Sequence, residues 1–336
     1  MKDDSSRHKL SKRDFVLDVD IQVPDSGITG VFGESGSGKT TLLRCIAGLE
    51  QEGGISAHKR NIGYVFQEPG LFPHLTVRGN IEYGARRAAT QRIDRESVVD
   101  MLGIGDLLER KPDSLSGGES QRVAIAAALL RSPDLVLMDE PLASLDRKRK
   151  DELLPYFDRL HDELSVPVIY VSHDIEEISR LCDHLVLLDN GRVAASGDLL
   201  DVVSRVDVPV LSGRNAGVVL WATPVDHEDG LTKFNFGDGD IWVAGRFEAT
   251  GTPLRLRIAA NDVSIARDRP TSTTILNILC ATVEEVHCVD TATALVRLGA
   301  GNQGLLARVT NRSVRRLGLK PGDQVFAQVK SVTVRH

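Results

Sequence analysis

The chain has 336 residues, of which 41% are hydrophobic, and a formal net charge of −6 at neutral pH. That length implies two or three domains with ordinary cores, and the acidic balance argues against a broad nucleic-acid surface. The four cysteines, Cys45, Cys182, Cys280 and Cys288, have no CxxC spacing, so neither a zinc site nor a disulfide framework is indicated and reduced thiols are expected.

The N-terminal MKDDSSRHKLSKRD is charged and has no apolar stretch of the signal-peptide kind. The longest apolar run, at 123–130, is far shorter than the roughly 20 residues of a membrane span. The chain is expected to be soluble, with docking on a membrane protein left open. Residues 27–32 (GITGVF) read as a buried strand, and TTLLRCIAGL at 40–49 has helical spacing. Between them, GESGSGKT fits G-x-x-x-x-G-K-[ST]. Gly33, Gly36 and Gly38 let the backbone N–H groups of the loop, with those of Glu34, Ser35 and Ser37, approach phosphate. The helix that follows adds its positive dipole end, along with Thr41. Lys39 is expected to bridge the β and γ phosphates and Thr40 to ligate Mg²⁺. The competing reading, a glycine-rich turn with an accidental lysine, is disfavoured by the strand before it and the helix after it.

Gln67 follows a β-like run in YVFQEPG, where an ordinary strand-end glutamine is a respectable alternative. LSGGESQ at 115–121 is a second place where backbone N–H groups can hold an anion. LVLMDEP is a buried strand ending in Asp139 and Glu140. Beside a phosphate loop, Asp139 suits a Mg²⁺ ligand through water and Glu140 suits the polarisation of an attacking water. RKRKDELLPYFDRLHDEL is amphipathic. VPVIYVSH ends in His173, a position where a structural histidine competes with a functional one. HLVLLDN is a further buried strand. The alternation reads as α/β with a largely parallel sheet.

After residue 205 the apolar pattern becomes period-two, in KFNFGDGDIWVAG, PLRLRIA, TALVRLG, GLLARVT and DQVFAQVKSVTV. This predicts short strands in small barrels. Trp221-Ala222-Thr223 has an echo in Cys280-Ala281-Thr282, and 261–265 in 330–334, which suggests a repeat. One irregular barrel with extensions is the alternative.

Taken together, the motifs resemble the ATPase subunit of an ABC transporter, in the order of that family: phosphate loop 33–40, Gln67, LSGGE at 115–119, acid strand 135–140, SLD at 144–146 and His173. The resemblance implies an ABC-type α/β P-loop ATPase domain with a helical subdomain at 1–205. It also implies a homodimer that sandwiches each ATP between one subunit's phosphate loop and the other's Ser116, Gly117 and Gly118, with Asp146 linking the sites. Gln67 joins Thr40 and Asp139 as a Mg²⁺ ligand, and Phe15 is the candidate adenine-stacking aromatic, although a core role suits it equally. PGLFPHLTVRGNIEYG is similar to the importer segment that receives a permease's coupling helix. DEPLASLDRKRKDELLPYF, TSTTILNILCATV and DQVFAQVKSVTV resemble molybdate importers in particular. The all-β C-terminal region then divides into a degenerate repeat at 206–270 and an oxyanion-binding-like module at 271–336, both small OB-like barrels. Thr274, Asn277, Lys330 and Ser331 are its oxyanion candidates, with Lys330 and Ser331 placed on one strand. Ala127 and Ser120 depart from the family's usual residues, which puts the packing around the acid strand in question.

The resemblance implies an ATPase that drives molybdate import at the cytoplasmic face of the inner membrane, as a peripheral subunit. Its implied partners are permease subunits and, indirectly, an extracytoplasmic binding protein, with no nucleic acid. An importer of sulfate, iron or another small solute is the alternative. A soluble ABC ATPase of translation or repair, and an oxyanion-storage protein with an idle ATPase, stand further off.

Overall fold

The computed structural model describes residues 5–12, 15–50, 60–86, 92–163, 166–208, 216–237, 239–248, 251–301 and 303–334. The chain divides into two compact units, Met1–Ser196 and Gly197–His336.

In the first unit β1 (Ser5–Lys12) and β2 (Phe15–Gln22) form an antiparallel pair. Then come β3 (Ile28–Phe32), α1 (Lys39–Ala47), β4 (Ile62–Val65), α2 (Val77–Ala85), α3 (Arg95–Met101) and α4 (Gly117–Leu129). β5 (Leu135–Asp139), α5 (Arg147–Glu163), β6 (Val168–Ser172), α6 (Ile175–Leu181), β7 (His184–Asp189) and β8 (Arg192–Asp198) complete the order. The main sheet has six strands in the order β4-β5-β6-β3-β7-β8. The pairs from β4 through β7 are parallel. β3 and β6 are buried at every position, the pattern of central strands with both faces covered. Their C-terminal ends are where the loops at 33 and 173 begin, and in parallel α/β sheets that edge is where ligands bind. Among the described residues, no helix is long and apolar enough to cross a membrane.

The second unit begins before residue 205, because α7 (Leu199–Val203) buries Leu199, Val202 and Val203 and Val206 joins the β core. Its strands are β9 (Gly217–Glu228), β10 (Leu231–Asn235), β11 (Asp240–Ala244), β12 (Leu254–Ala259), β13 (Val263–Ala266), β14 (Asn277–Cys288), β15 (Thr293–Ala300), β16 (Gln303–Thr310), β17 (Gln324–Val329) and β18 (Thr333–Val334), with α8 (Asn311–Leu317) before β17. They make two five-stranded sheets, β11-β10-β9-β12-β18 and β13-β17-β14-β15-β16. The halves exchange their closing strands. β13 pairs with β17 from Val263↔Val329 to Ala266↔Phe326, and β18 pairs with β12 at Leu256↔Val334 and Arg257↔Thr333. These exchanged strands lie in the two segments that echo each other in sequence. One apolar core therefore runs through both halves, with Phe234, Ile241 and Leu256 from one and Val283, Leu298 and Val325 from the other. The core is continuous across residue 270.

Candidate active site

The phosphate loop runs from the end of β3 into α1. Gly36 and Gly38 have φ of 85° and 103°, a region that disfavours any side chain. A Cβ at Gly38 would also lie 2.6 Å from the Phe15 ring, and one at Gly33 would strike the Leu188 carbonyl. Phe15 thus packs on the loop itself and on the apolar core of the first unit at once. Phe15, Ser35, Gly36, Gly38, Lys39, Thr40, Thr41 and Glu140 surround one cavity of about 290 Å³. Ser37 turns back on Glu34 through its N–H at 3.1 Å, and its carbonyl accepts from Gly191.

Lys39 is 6% exposed, and its Nζ donates to the Gly33 and Glu34 carbonyls at 2.7 and 3.0 Å. Burial holds its ammonium below the usual lysine range, against the opposing pull of Glu140 and Asp139. Asp139 closes β5 and is 7% exposed. Its two oxygens are both taken: Thr40 Oγ1 donates to Oδ1 and the Tyr64 hydroxyl to Oδ2, each at 3.0 Å. Thr40 and Asp139 therefore present oxygen donors side by side, the chemistry a hard divalent cation prefers.

Glu140 follows with φ 48°, an uncommon backbone for a non-glycine residue. Its N–H donates to Val171 at 3.0 Å, and its Oε2 lies 3.0 Å from His173 Nδ1. The turn after the acid strand is held in a costly conformation that aims the carboxylate along the sheet edge toward the histidine. Gln67 lies two residues past β4 and is exposed, without lining the loop cavity.

The LSGGE residues at 115–119 stand elsewhere. Ser116 caps α4 in a reciprocal box with Glu119, Ser116 N–H to Oε2 at 2.7 Å and Glu119 N–H to Oγ at 3.3 Å. The Ser116 backbone N–H lowers the Glu119 pKa, so the carboxylate stays ionised at the cap. Ser116 and Gly118 line a second cavity with Arg122, Arg149 and Tyr156, and no residue lines both this cavity and that of the phosphate loop. Gly117 faces Leu145. Asp146 starts α5 by accepting from the Arg149 N–H at 3.0 Å.

A third, largely apolar cavity of about 320 Å³ lies between β4, α2 and α4, with Phe66, Leu71, Phe72, Tyr83 and Ala127 among its walls. Ala127 is one of the residues that line this groove. Tyr64 was missed in the sequence. The signal was present, an aromatic hydroxyl on the strand parallel to the acid strand, but only the register of β4 on β5 makes it a contact. Burial, then the Asp139 charge, raises the Tyr64 pKa, so the phenol remains a donor.

In the second unit the four oxyanion candidates are dispersed in role. Asn277 is buried, its Nδ2 donating to the Trp242 carbonyl at 2.9 Å and its Oδ1 accepting the Trp242 N–H at 2.7 Å. Ser331 Oγ donates to Asp262 Oδ2 at 2.6 Å, and the Lys330 N–H to the Asp262 carbonyl at 2.8 Å. Lys330 and Ser331 do not share a strand as expected from sequence; they lie in the link between β17 and β18, where the chain changes sheets. Thr274 and the Lys330 side chain are exposed.

A glycine loop with a buried lysine, an acid strand and a carboxylate–histidine pair define a P-loop ATPase of the ABC class. The ABC transporter family matches residues 16–143 and the TOBE domain family residues 273–335. "Molybdenum import ATP-binding protein ModC 1" of Azotobacter vinelandii is 50% identical, covering 98% of this chain and 98% of that one. The ModC proteins of Methylococcus capsulatus and Pseudomonas aeruginosa are 48% and 49% identical, over 99% and 95% of this chain and 99% and 96% of theirs. Among solved structures, cbiO1 from Clostridium perfringens, part of the ABC transporter complex cbiONQ, superposes with a TM-score of 0.52. It covers 61% of this chain and 91% of that one at 24% identity, a likeness of fold alone. The chain belongs to the family of molybdenum import ATP-binding proteins within the ABC transporter class.

Proposed function

We propose that the chain is the ATP-hydrolysing subunit of a molybdate importer, a homodimer seated on permease subunits that an extracytoplasmic binding protein supplies. The observation that carries the reading is the Glu140–His173 pair beside the Lys39 loop, in a chain half identical to a molybdenum import ATP-binding protein. Lys39 exchanges its loop carbonyls for the β and γ phosphates of ATP, and the loop N–H groups hold the rest of the chain of phosphates. Thr40 and Asp139, with Gln67 once it approaches, suit Mg²⁺, which supplies neutralisation of phosphate charge. Glu140 orients the attacking water, and His173 fixes the Glu140 carboxylate. Phe15 offers its ring to the adenine.

Two separate cavities on one unit favour shared sites. Ser116, Gly117, Gly118 and Asp146 would serve the partner's nucleotide, completing two sites from four halves. The groove with exposed Phe66 and Tyr83 suits an apolar segment of the permease, and a subunit docked there would work at the cytoplasmic face of the inner membrane. In the second unit Lys330 and Thr274 are the donors available to an oxyanion, while Ser331 must first leave Asp262.

The test combines two variants. A Lys39→Ala subunit mixed with a Ser116→Arg subunit is expected to regain activity over either homodimer, because one site is rebuilt from intact halves. Proteoliposomes holding the subunit and its permease are expected to take up molybdate only with ATP. Full activity of each variant alone, or uptake indifferent to molybdate, overturns the reading.

A further inference from the structure

Glu177, on α6, is 5% exposed and lines neither nucleotide cavity. Both of its oxygens are committed. Oε1 accepts Lys150 Nζ at 2.6 Å, and Oε2 accepts the Tyr170 hydroxyl at 2.9 Å and Ser172 Oγ at 2.8 Å. Ser172 Oγ in turn accepts the Asp174 N–H at 3.0 Å, and Asp174 Oδ2 lies 3.4 Å from Lys150 Nζ. The residues on either side of His173 are therefore bonded to each other and anchored on one ion pair, of which Glu177 is buried and Lys150 partly so. The His173 ring itself is half exposed and reaches Glu140.

Lys150 is the other end of the arrangement. It sits in the first turn of α5, where its own N–H donates to the Asp146 carbonyl at 3.0 Å. The segment that ends at Asp146 and the turn that carries His173 thus meet at one residue, Lys150, the first through its backbone N–H and the second through its ammonium. From these contacts we infer that Lys150 and Glu177 are positioning residues: they set the His173 turn and make it follow the Asp146 segment. The inference rests on the dimeric ATPase reading for its purpose, since Asp146 is where a second subunit would bear.

The physics favours a stiff link. A largely buried carboxylate that accepts three hydrogen bonds favours one geometry, and removal of one partner strands a charge in a poor solvent. Burial and then Glu177 raise the Tyr170 pKa well above the ordinary value, so that hydroxyl stays a donor. Burial opposes the Lys150 charge, and Glu177 and then Asp174 outweigh it. The plain alternative is a clamp that only fastens α5 to α6. A clamp predicts a lower melting temperature and nothing particular at His173.

The experiment uses the full chain with Lys150→Met, Lys150→Arg and Glu177→Gln, the last preserving volume if the first folds poorly. Ring-nitrogen NMR of labelled histidine, assigned by His173→Asn, reads the His173–Glu140 hydrogen bond directly. Steady-state ATP hydrolysis reads its consequence. In Lys150→Met and Glu177→Gln, the His173 Nδ1 resonance is expected to move to that of a free imidazole. The kcat is expected to fall about tenfold or more, as a displaced catalytic group implies, with KM for ATP within about twofold. Lys150→Arg is expected to restore both. An unchanged His173 resonance in a variant that still melts cooperatively overturns the inference, as does a loss carried by KM. Should the wild type hydrolyse no ATP, the functional reading fails, and the resonance alone still decides the positioning role.

Discussion

Buried ionisable side chains divide unevenly between the two units. In the α/β unit, Lys39, Asp139, Asp158 and Glu177 are all buried. In the β unit, among the described residues, Arg255 is the buried charge, stacked 4.9 Å over the Trp221 ring. The remaining buried polar residues there are Thr232, Asn277 and Asn311, each bonded to backbone. In the first unit Lys39 and Asp139 lie at the sheet edge beside the phosphate loop, while Asp158 and Glu177 are buried in ion pairs with Arg180 and Lys150. The other uses its few buried polar groups as clasps around an apolar core. A polar side chain in the first unit is thus a candidate for chemistry. In the second it is first a candidate for holding a strand.

The sharpest way to break that contrast is at the sheet edge. Glu140→Gln keeps volume and removes the carboxylate charge. Turnover is expected to fall by about two to four orders of magnitude, the range for a positioned general base, with ATP binding retained. Phosphate release and nucleotide titration check both halves. Ordinary turnover would mean that the buried charges around Lys39 do not serve hydrolysis.

The counterpart lies in the β core. Phe234 is fully buried and packs edge-on against Phe247, with ring centroids 5.4 Å apart. Phe234→Ala is expected to cost about 3–5 kcal/mol in urea unfolding. ATP hydrolysis per folded molecule should not change. A loss of hydrolysis without loss of stability would erase the distinction between a chemical unit and a clasped one.

The same contrast explains what was legible in the sequence. The loop, the acid strand and His173 could be found because a parallel sheet delivers the C-terminal ends of neighbouring strands to one edge, whatever their separation in sequence. Period-two alternation likewise marked the β unit. Strand exchange was not legible. Nothing in 261–265 or 330–334 specifies which sheet each joins, because register is decided by partners far along the chain. Lys330 and Ser331 were therefore placed on one strand, when they lie where the chain leaves β17 for β18. Asn277 entered as an oxyanion candidate by resemblance alone. Its partner, the backbone of Trp242, lies on β11 in the other sheet. Tyr64 and the Lys150–Glu177 pair escaped notice because their importance lies in contacts between strands and helices, with no motif of their own.

Asn277 sharpens the clasp reading. Removing its amide leaves both the N–H and the C=O of Trp242 without this partner, so Asn277→Ala is expected to cost about 1–3 kcal/mol. Lys330→Ala, exposed, is expected to leave stability within about 0.5 kcal/mol while weakening any molybdate binding. Denaturation and isothermal titration of both variants separate the roles. Equal stability with lost binding in Asn277→Ala would return that residue to the anion.

The smallest expected effect concerns the exchanged strand itself. Arg267, just past β13, donates to the Leu317 carbonyl at 3.0 Å, the Gly318 carbonyl at 2.9 Å and Asp323 Oδ2 at 2.6 Å. Asp323 also accepts the Lys320 N–H at 2.8 Å. The Arg267 hydrogen bond and then the Lys320 N–H hold the Asp323 carboxyl below its usual 3.8. A depressed folded-state pKa means that the unfolded chain takes up the proton first as pH falls. The contribution to stability is therefore complete above the unfolded value and is lost as pH drops through the folded one. Solvent exposure keeps the effect small. Urea midpoints measured from about pH 6 to about pH 2 should show Asp323→Asn falling less steeply than the wild type below about pH 4, with the two parallel above it. Parallel curves throughout would show that Arg267 holds the exchanged strand through the carbonyls of residues 317 and 318 alone.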